Sequence, residues 1–343
     1  MYCFILISKY VYRKSDTLNN ISIASFIILI INPYSIYNLG FQLSVTGTLG
    51  IVLFYDIIFK KYKMLVSVDI KNKTIDFIVK KIEKIIVVSI SANIMMLPIL
   101  AYNYNTVSFG FIISSVLIAP ILGIMCVSGY LMIVASLFSI GFAKIFAFIF
   151  NYSIKLFYLI AQITSRISFT SILIATPNIV IIILYYVLIF YLFFFYKKQH
   201  FKFLIKSIIF ILCIIFINNS FKNINYGLRL YFIDVGQGDS SLIVTETNKK
   251  LLIDGGGSET GNYDVGENVL VPYLLDRGVC SIDYMIFSHF DSDHCKGLFT
   301  VMEKLKVKNA VVSEQGENSY NYQLFLELAN KKDINIIRVR ARR

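Results

Sequence analysis

The sequence predicts a polytopic α-helical membrane domain followed by a smaller α/β domain. Three observations carry this reading. Apolar types make up 57% of the 343 residues and charged types 16%, where soluble domains hold roughly 45–50% and about 25%. The charge is divided along the chain. Residues 1–226 carry 19 Lys and Arg against 5 Asp and Glu, a net of +14, whereas residues 227–343 carry 14 against 16, a net of −2. Finally, the hydrophobic period changes after residue 226 from helical to strand-like. The whole basic excess therefore belongs to the apolar part, as it does where basic loops lie in the cytosol beside anionic lipid.

A spanning helix needs about 20 mostly apolar residues. Such stretches fall near 18–32, 39–59, 84–102, 120–139, 145–163, 178–196 and 203–218. Residues 106–119 are apolar but short and are closed by Pro120. Loop charge orders these spans. Lys9, Arg13 and Lys14 place the N-terminal segment inside. The run from Lys60 through Lys84 is the strongest inside signal, and Lys144 and then Lys197, Lys198, Lys202 and Lys206 return inside after two crossings each. This alternation holds only if 106–119 does not cross. The expectation is therefore about seven spans, with 106–119 re-entrant or half-length, and a C-terminal domain delivered outside the cytoplasm. Met1–Ser8 is too short to span and has the look of the end of a helix that begins earlier.

Ionisable and amide groups inside spans are functional candidates because charge at membrane depth is costly. Lys155 lies mid-span, and Gln42 and Asn93 join it as candidate channel residues, although amides at such places also serve helix packing. The five cysteines have no paired spacing, which excludes a disulfide framework and a CxxC zinc site. A small-residue cleavage site does not follow the apolar start.

Residues 1–218 thus form the membrane domain, 219–227 a polar linker and 228–343 the α/β domain. Leu228–Val235 alternates as a strand, Gly236-Gln237-Gly238-Asp239 turns, and Ser241–Thr245 and Lys250–Ile253 follow as strands before Asp254-Gly255-Gly256-Gly257. A short helix over 267–276 contains Pro272. Ile282–Ser288 is an apolar strand, and a helix (297–305), a strand (310–313), a helix (321–330) and a strand (334–339) complete a sheet with at least one helical layer.

The strand at Ile282–Ser288 runs into His289-Phe290-Asp291-Ser292-Asp293-His294. Four of these six residues are of metal-ligand type, and two of the three histidines in the chain are here. Imidazole and carboxylate together suit zinc, manganese or iron. An acidic loop with two incidental histidines is the alternative at this point.

Three blocks narrow the choice. Phe232-x-Asp234-Val235-Gly236-Gln237-Gly238-Asp239-Ser240, then Leu252-Ile253-Asp254-Gly255-Gly256, then His289–His294 resemble, in order and spacing, the metallo-β-lactamase-like domain of ComEC-type competence proteins. Asn32-Pro33 with Gly40-Phe41-Gln42-Leu43-Ser44 resembles the start of that family's membrane domain. The resemblance implies a partial αββα sandwich at the C-terminus. It implies that His289 and Asp291 hold one divalent ion and that Asp293 and His294 hold a second, zinc or manganese. Asp293 is then also the catalytic carboxylate. Asp254, Gly255 and Gly256, with Asp234 and Asp239, support the metal loop. The implied function is DNA uptake in natural transformation: passage of single-stranded DNA across the bacterial plasma membrane, with a nuclease-type domain for the strand that is not imported. Implied partners are the DNA phosphate backbone, the membrane, a DNA receptor and a cytosolic helicase-type motor.

The family's sandwich has a second half with further ligands, and no histidine follows His294. The expectation is a ligand set that fills part of each metal shell and a polypeptide that is not an active nuclease by itself. A membrane-anchored hydrolase of another ester, and an inactive gene fragment, are the rival readings.

Overall fold

The computed structural model describes residues 16–65, 72–165, 171–195, 227–258, 263–313 and 319–340. The chain divides into two compact units, one of residues 1–100, 106–172 and 189–196 and one of residues 101–105, 173–188 and 197–343.

Helices dominate the N-terminal region: α1 (Thr17–Ile31), α2 (Leu39–Leu65), α3 (Lys73–Tyr104), α4 (Phe111–Ser136), α5 (Ile140–Ser165) and α6 (Ile179–Phe195). Asp16 caps α1 by accepting the Leu18 N–H, and Asn32 accepts from Tyr34 to turn the chain into a short 3-10 helix over Pro33–Tyr37. Among the described residues, α2, α3, α4 and α5 are long and apolar enough to cross a membrane, while Thr17–Ile31 and Ile179–Tyr191 are shorter apolar helices. The expected span at 203–218, Met1–Ser8, His200 and most of the linker lie outside the described residues.

Small residues let α2 and α3 approach closely. A Cβ on Gly50 would lie 2.3 Å from the Ser91 carbonyl oxygen, and one on Gly47 3.0 Å from Met96. Close approach at small residues is how helices gain packing where lipid supplies no hydrophobic drive. Much of the remaining helical surface is exposed and apolar, as at Phe26, Phe148 and Tyr158, which suits a hydrocarbon surround.

Residues 106–119 are corrected by the structure. Thr106–Ser108 is a strand (β1) that pairs with Ser171–Leu173 (β2). Residues 111–119 then run directly into 120–136 as one helix with Pro120 inside it. The segment expected from loop charge to be re-entrant or half-length is, from Phe111 on, the first part of α4. Proline lacks one N–H, and in a bundle neighbouring groups and Ser or Thr hydroxyls can make good that loss. The β1–β2 pairing ties the chain after α3 to the chain after α5.

The C-terminal domain is a six-stranded sheet in the order β3 (Arg229–Phe232), β4 (Ser241–Val244), β5 (Lys250–Ile253), β6 (Ser281–Phe287), β7 (Lys306–Ser313) and β8 (Asn335–Val339). β3–β4–β5 are antiparallel, joined by short turns. β5 to β8 are parallel, and their crossovers hold α7 (Val271–Asp276), α8 (Ser292–Lys304) and α9 (Tyr320–Lys331), as parallel pairs demand. The sequence pattern places these elements within a few residues. The helix read from 297 begins earlier, at Ser292, so the metal-type motif supplies its first turn. The helix read over 267–276 is a π-turn over Gly266–Leu270 running straight into α7, with Pro272 at the second residue of α7, next to the point where the ladder has widened and the Val271 N–H bonds Gly266 O.

Register builds one face of the sheet into the core. Leu242 pairs with Leu252, Leu252 with Met285 and Met285 with Ala310, and all four are fully buried. Leu274 of α7, Leu298 and Met302 of α8 and Phe325 of α9 join the same cluster. The opposite face carries another apolar row, Ile253–Ile286–Val311–Ile337, by the same register. These side chains are only half-buried, and on the same face Phe232 of β3 is 85% exposed.

Candidate metal centre

β5 and β6 are parallel neighbours with Ile253 opposite Ile286, so both strands end at the same edge of the sheet. Ligand sites in open α/β sheets form outside the carboxyl ends of such strands. Beyond β5 the ladder makes one more bond, from Asp254 N–H to Ile286 O at 3.0 Å. Asp254 then takes a φ of +51°, which turns its carboxylate across the end of β6. The residue is buried.

Beyond β6 the chain bends at Ser288, which breaks the strand alternation and lets Phe290 return to the side of Phe287. Phe290 goes inward and stacks on Phe287 at 5.3 Å, with Tyr322 and Phe325 around it. Asn321 Nδ2–H donates to Phe290 O at 2.8 Å. Anchoring of Phe290 turns His289 and Asp291 outward. Asp291 is the residue before α8, and Asp293 and His294 lie in its first turn, where the positive end of the helix dipole favours anionic groups.

His289, Asp293 and His294 come together, with one ligand atom from each lying within 4.8 Å of the others. The two imidazole rings are 4.0 Å apart. His294 Nε2 is 3.8 Å from Asp293 Oδ2. Asp291 lies apart from this trio: its carboxylate reaches His289 Nε2 at 3.5 Å, but its side chain is 80% exposed. Both histidines have Nδ1 engaged. His294 Nδ1 is 3.1 Å from Asp254 Oδ2, and His289 Nδ1 is 2.8 Å from Ser288 Oγ. Each Nε2 is thereby left facing the carboxylates. An imidazole nitrogen held by a carboxylate, as at His294, is the usual arrangement behind a metal ion, so the donor set fits a divalent cation.

The supporting residues work mainly through backbone. The Asp234 carboxylate accepts the Gly236 N–H at 3.1 Å and starts the turn. Asp239 O accepts from Gly256, Gln237 O from Gly257, and His294 O from Gly255 at 2.7 Å. Gly297 N–H donates to Gly256 O at 3.0 Å. The two glycine loops thus form a floor under the first turn of α8. Side chains would not fit: a Cβ on Gly297 would lie 2.0 Å from Gly255 O, and one on Gly238 1.7 Å from Asp293 O.

Residues missed by the sequence reading are Ser288 and Ser240. Ser240 Oγ–H donates to Asp254 O at 2.9 Å, holding the strained residue from behind. Ser240 closes the first block and Ser288 abuts the third, and those places were the only signal for either. The candidate channel residues make local bonds. Gln42 Nε2–H donates to Ile36 O and Asn93 Nδ2–H to Ser89 O, while Lys155 lies 5.5 Å from the Tyr152 ring centre. They stand on three different helices, α2, α3 and α5.

The family model described as Competence protein matches residues 1–199, and that of the metallo-beta-lactamase superfamily matches residues 233–340. The chain is 24% identical over 332 residues to ComE operon protein 3 of Bacillus subtilis (strain 168), an overlap of 93% of this chain and 41% of that protein. It is 32% identical over 93 residues to Recombination protein 2 of Haemophilus influenzae, covering 27% of this chain and 11% of that protein. The chain therefore spans less than half the length of the curated relatives it matches.

Proposed function

The chain belongs to the competence protein family, and from that premise we propose that it serves DNA uptake in natural transformation, passing single-stranded DNA through the bacterial plasma membrane. The C-terminal domain acts on phosphodiesters of the strand left outside. The observation that carries this reading is the combination, in one chain, of competence-type membrane helices with the His289, Asp293 and His294 cluster.

In this reading His289 and His294 present Nε2 to a divalent ion, zinc or manganese, and Asp293 and Asp291 add carboxylate. An ion held there would supply Lewis-acid chemistry, polarisation of a phosphoryl oxygen and activation of a water. Asp254 keeps the His294 ring in place through Nδ1. Asp293, two-fifths exposed and beside His294 Nε2, is the group positioned to take a proton from an attacking water. A second ion, as in the wider fold, draws on Asp291 and on ligands outside the trio. Lys155, Gln42 and Asn93 are proposed to line the path through the bilayer.

The domain is proposed to lie outside the cytoplasm. Basic residues at 60–63, 73–84 and 144 mark the inner side, which puts the β1–β2 pair at the outer side. A DNA receptor outside and a helicase-type motor inside are the partners this arrangement calls for.

The test is genetic and biochemical. Cells lacking the gene are complemented with the wild-type gene or with His289→Ala/His294→Ala, and fed end-labelled duplex DNA. Wild type restores transformants and release of labelled nucleotides outside; the double variant loses the release. Normal transformation in the deletion strain would remove the uptake assignment. Uptake without any release of nucleotides would leave only transport. A weak dependence of DNA binding on salt would favour another ester as substrate, because phosphate contacts release counterions.

A further inference from the structure

Ser288 makes three polar contacts at one place. Its hydroxyl is 2.5 Å from Asp254 Oδ2 and 2.8 Å from His289 Nδ1, and its backbone N–H donates to Asp254 Oδ1 at 2.9 Å. Asp254 Oδ2 also lies 3.1 Å from His294 Nδ1. One buried carboxylate therefore serves both imidazoles, His294 directly and His289 through a hydroxyl.

The proton positions follow from what each group can do. An ionised carboxylate only accepts, and a serine hydroxyl has one proton and two lone pairs. The Ser288 proton goes to Asp254 Oδ2, the shortest contact. Ser288 Oγ is then left as an acceptor toward His289, so the His289 proton sits on Nδ1. The same carboxylate oxygen accepts from His294 Nδ1. Both rings thereby carry hydrogen on Nδ1 and leave the Nε2 lone pair free on the side of Asp291 and Asp293. His289 needs this help more than its neighbour, since its side chain is 37% exposed against 18% for His294, and packing holds it less.

We propose that Ser288 is a positioning residue that extends the reach of Asp254 to His289 and fixes that ring as the Nδ1–H tautomer, with the Nε2 lone pair as the ligand atom. The inference rests on the reading of this cluster as a metal centre. It goes beyond that reading in assigning the tautomer of His289 to a hydroxyl outside the ligand motif. Ser288 itself is exposed, so loss of its hydroxyl leaves the core untouched, and threonine keeps the hydroxyl.

The test uses the full chain in lipid nanodiscs, labelled with 15N-histidine. The sequence has three histidines, so His200 serves as an internal control. In metal-free wild type, both His289 and His294 show the Nδ1–H pattern of ring nitrogen shifts. Ser288→Ala moves His289 away from that pattern and leaves His294 in place, and Ser288→Thr restores it. Zinc affinity, measured by competition with a chelator, falls about 10- to 100-fold in Ser288→Ala, the size usual for outer partners of metal ligands, and recovers in Ser288→Thr. An Ala variant with the wild-type His289 tautomer overturns the proposal. So does a Thr variant that behaves like Ala. The metal reading is tested separately: zinc binding that is unchanged in His289→Ala and in His294→Ala removes the metal centre, while the metal-free spectra still decide the role of Ser288.

Discussion

Gly236 and Gly238 lie in one turn, both at positive φ, +76° and +87°, yet their surroundings differ. A Cβ at 236 meets nothing within 4 Å. A Cβ at 238 would stand 1.7 Å from Asp293 O and 2.7 Å from Asp293 C, where ordinary contact begins at 3.4 Å. Gly236→Ala therefore carries only the left-handed backbone cost, about 1–2 kcal/mol. Gly238→Ala carries the same cost and must also push the first turn of α8 back, which adds about 1–3 kcal/mol as overpacking. The moved residue is a member of the metal cluster, so zinc affinity falls along with stability. Pulse proteolysis in urea on the full chain in nanodiscs reads the first effect. At an m value of about 1–3 kcal/mol/M, the Gly238→Ala midpoint drops below that of Gly236→Ala by roughly 1 M. Chelator competition reads the second, with Gly236→Ala near wild type and Gly238→Ala weakened. Equal midpoints and equal affinities for the two variants would refute the argument that the turn is pressed against Asp293.

Three further outcomes follow from the same domain. At Asp283, burial alone would raise the carboxyl pKa, but the Lys308 ammonium at 2.7 Å and the Lys250 N–H at 2.9 Å outweigh it and hold the group below its ordinary value. Its contribution is therefore complete above the unfolded pKa of about 3.9 and is lost as pH falls through the lower folded value. Asp283→Asn costs about 1–2 kcal/mol near neutrality, reduced because Lys308 is half in solvent, and a urea series at pH 3 to 6 should show the gap closing at the acid end. Burial pushes the Cys295 thiol up to about 12, so maleimide at pH 8 should mark the exposed Cys280 and spare Cys295 until the domain is unfolded, as peptide mass spectrometry will show. Phe287→Ala, which empties the ring cluster with Phe290 and Phe325, costs about 3–5 kcal/mol and loosens zinc through Phe290, whereas Phe287→Leu should lose far less of either.

Much of the C-terminal domain was legible because its signals are local. Alternation marked the strands, and glycine clusters marked the turns. The spacing His289-x-Asp291-x-Asp293-His294 carried its own explanation once Phe290 was seen as the inward residue between two outward ones. What the motif did not disclose was its division: His289, Asp293 and His294 converge, while Asp291 stands out in solvent beside His289. That difference comes from the start of α8 at Ser292, which winds Asp293 and His294 back over the strand end, and the sequence reading began this helix five residues too late. Ser288 could not be read at all, since a hydroxyl acquires its role from a carboxylate 34 residues away. In the membrane region, Pro120 misled. It divides the apolar run into a short piece and a full-length one, whereas the structure carries α4 through it as one helix, so the basic loops keep their alternation without a separate half-length segment.

The half-buried row Ile253–Ile286–Val311–Ile337, with Phe232 beside it, makes one side of the sheet a surface that water wets poorly. Monomeric soluble proteins seldom leave apolar patches of more than a few hundred Å² uncovered. A laboratory preparation of residues 228–340 would present this side to water, and its first property in solution would be adhesion: to a second copy, to a column matrix, to detergent. Retention on a sizing column and dye binding would rise with concentration before any chemistry was measured. A polar replacement at Phe232, which is 85% exposed, is the place to restore colloidal behaviour while leaving the Asp254 network as it is.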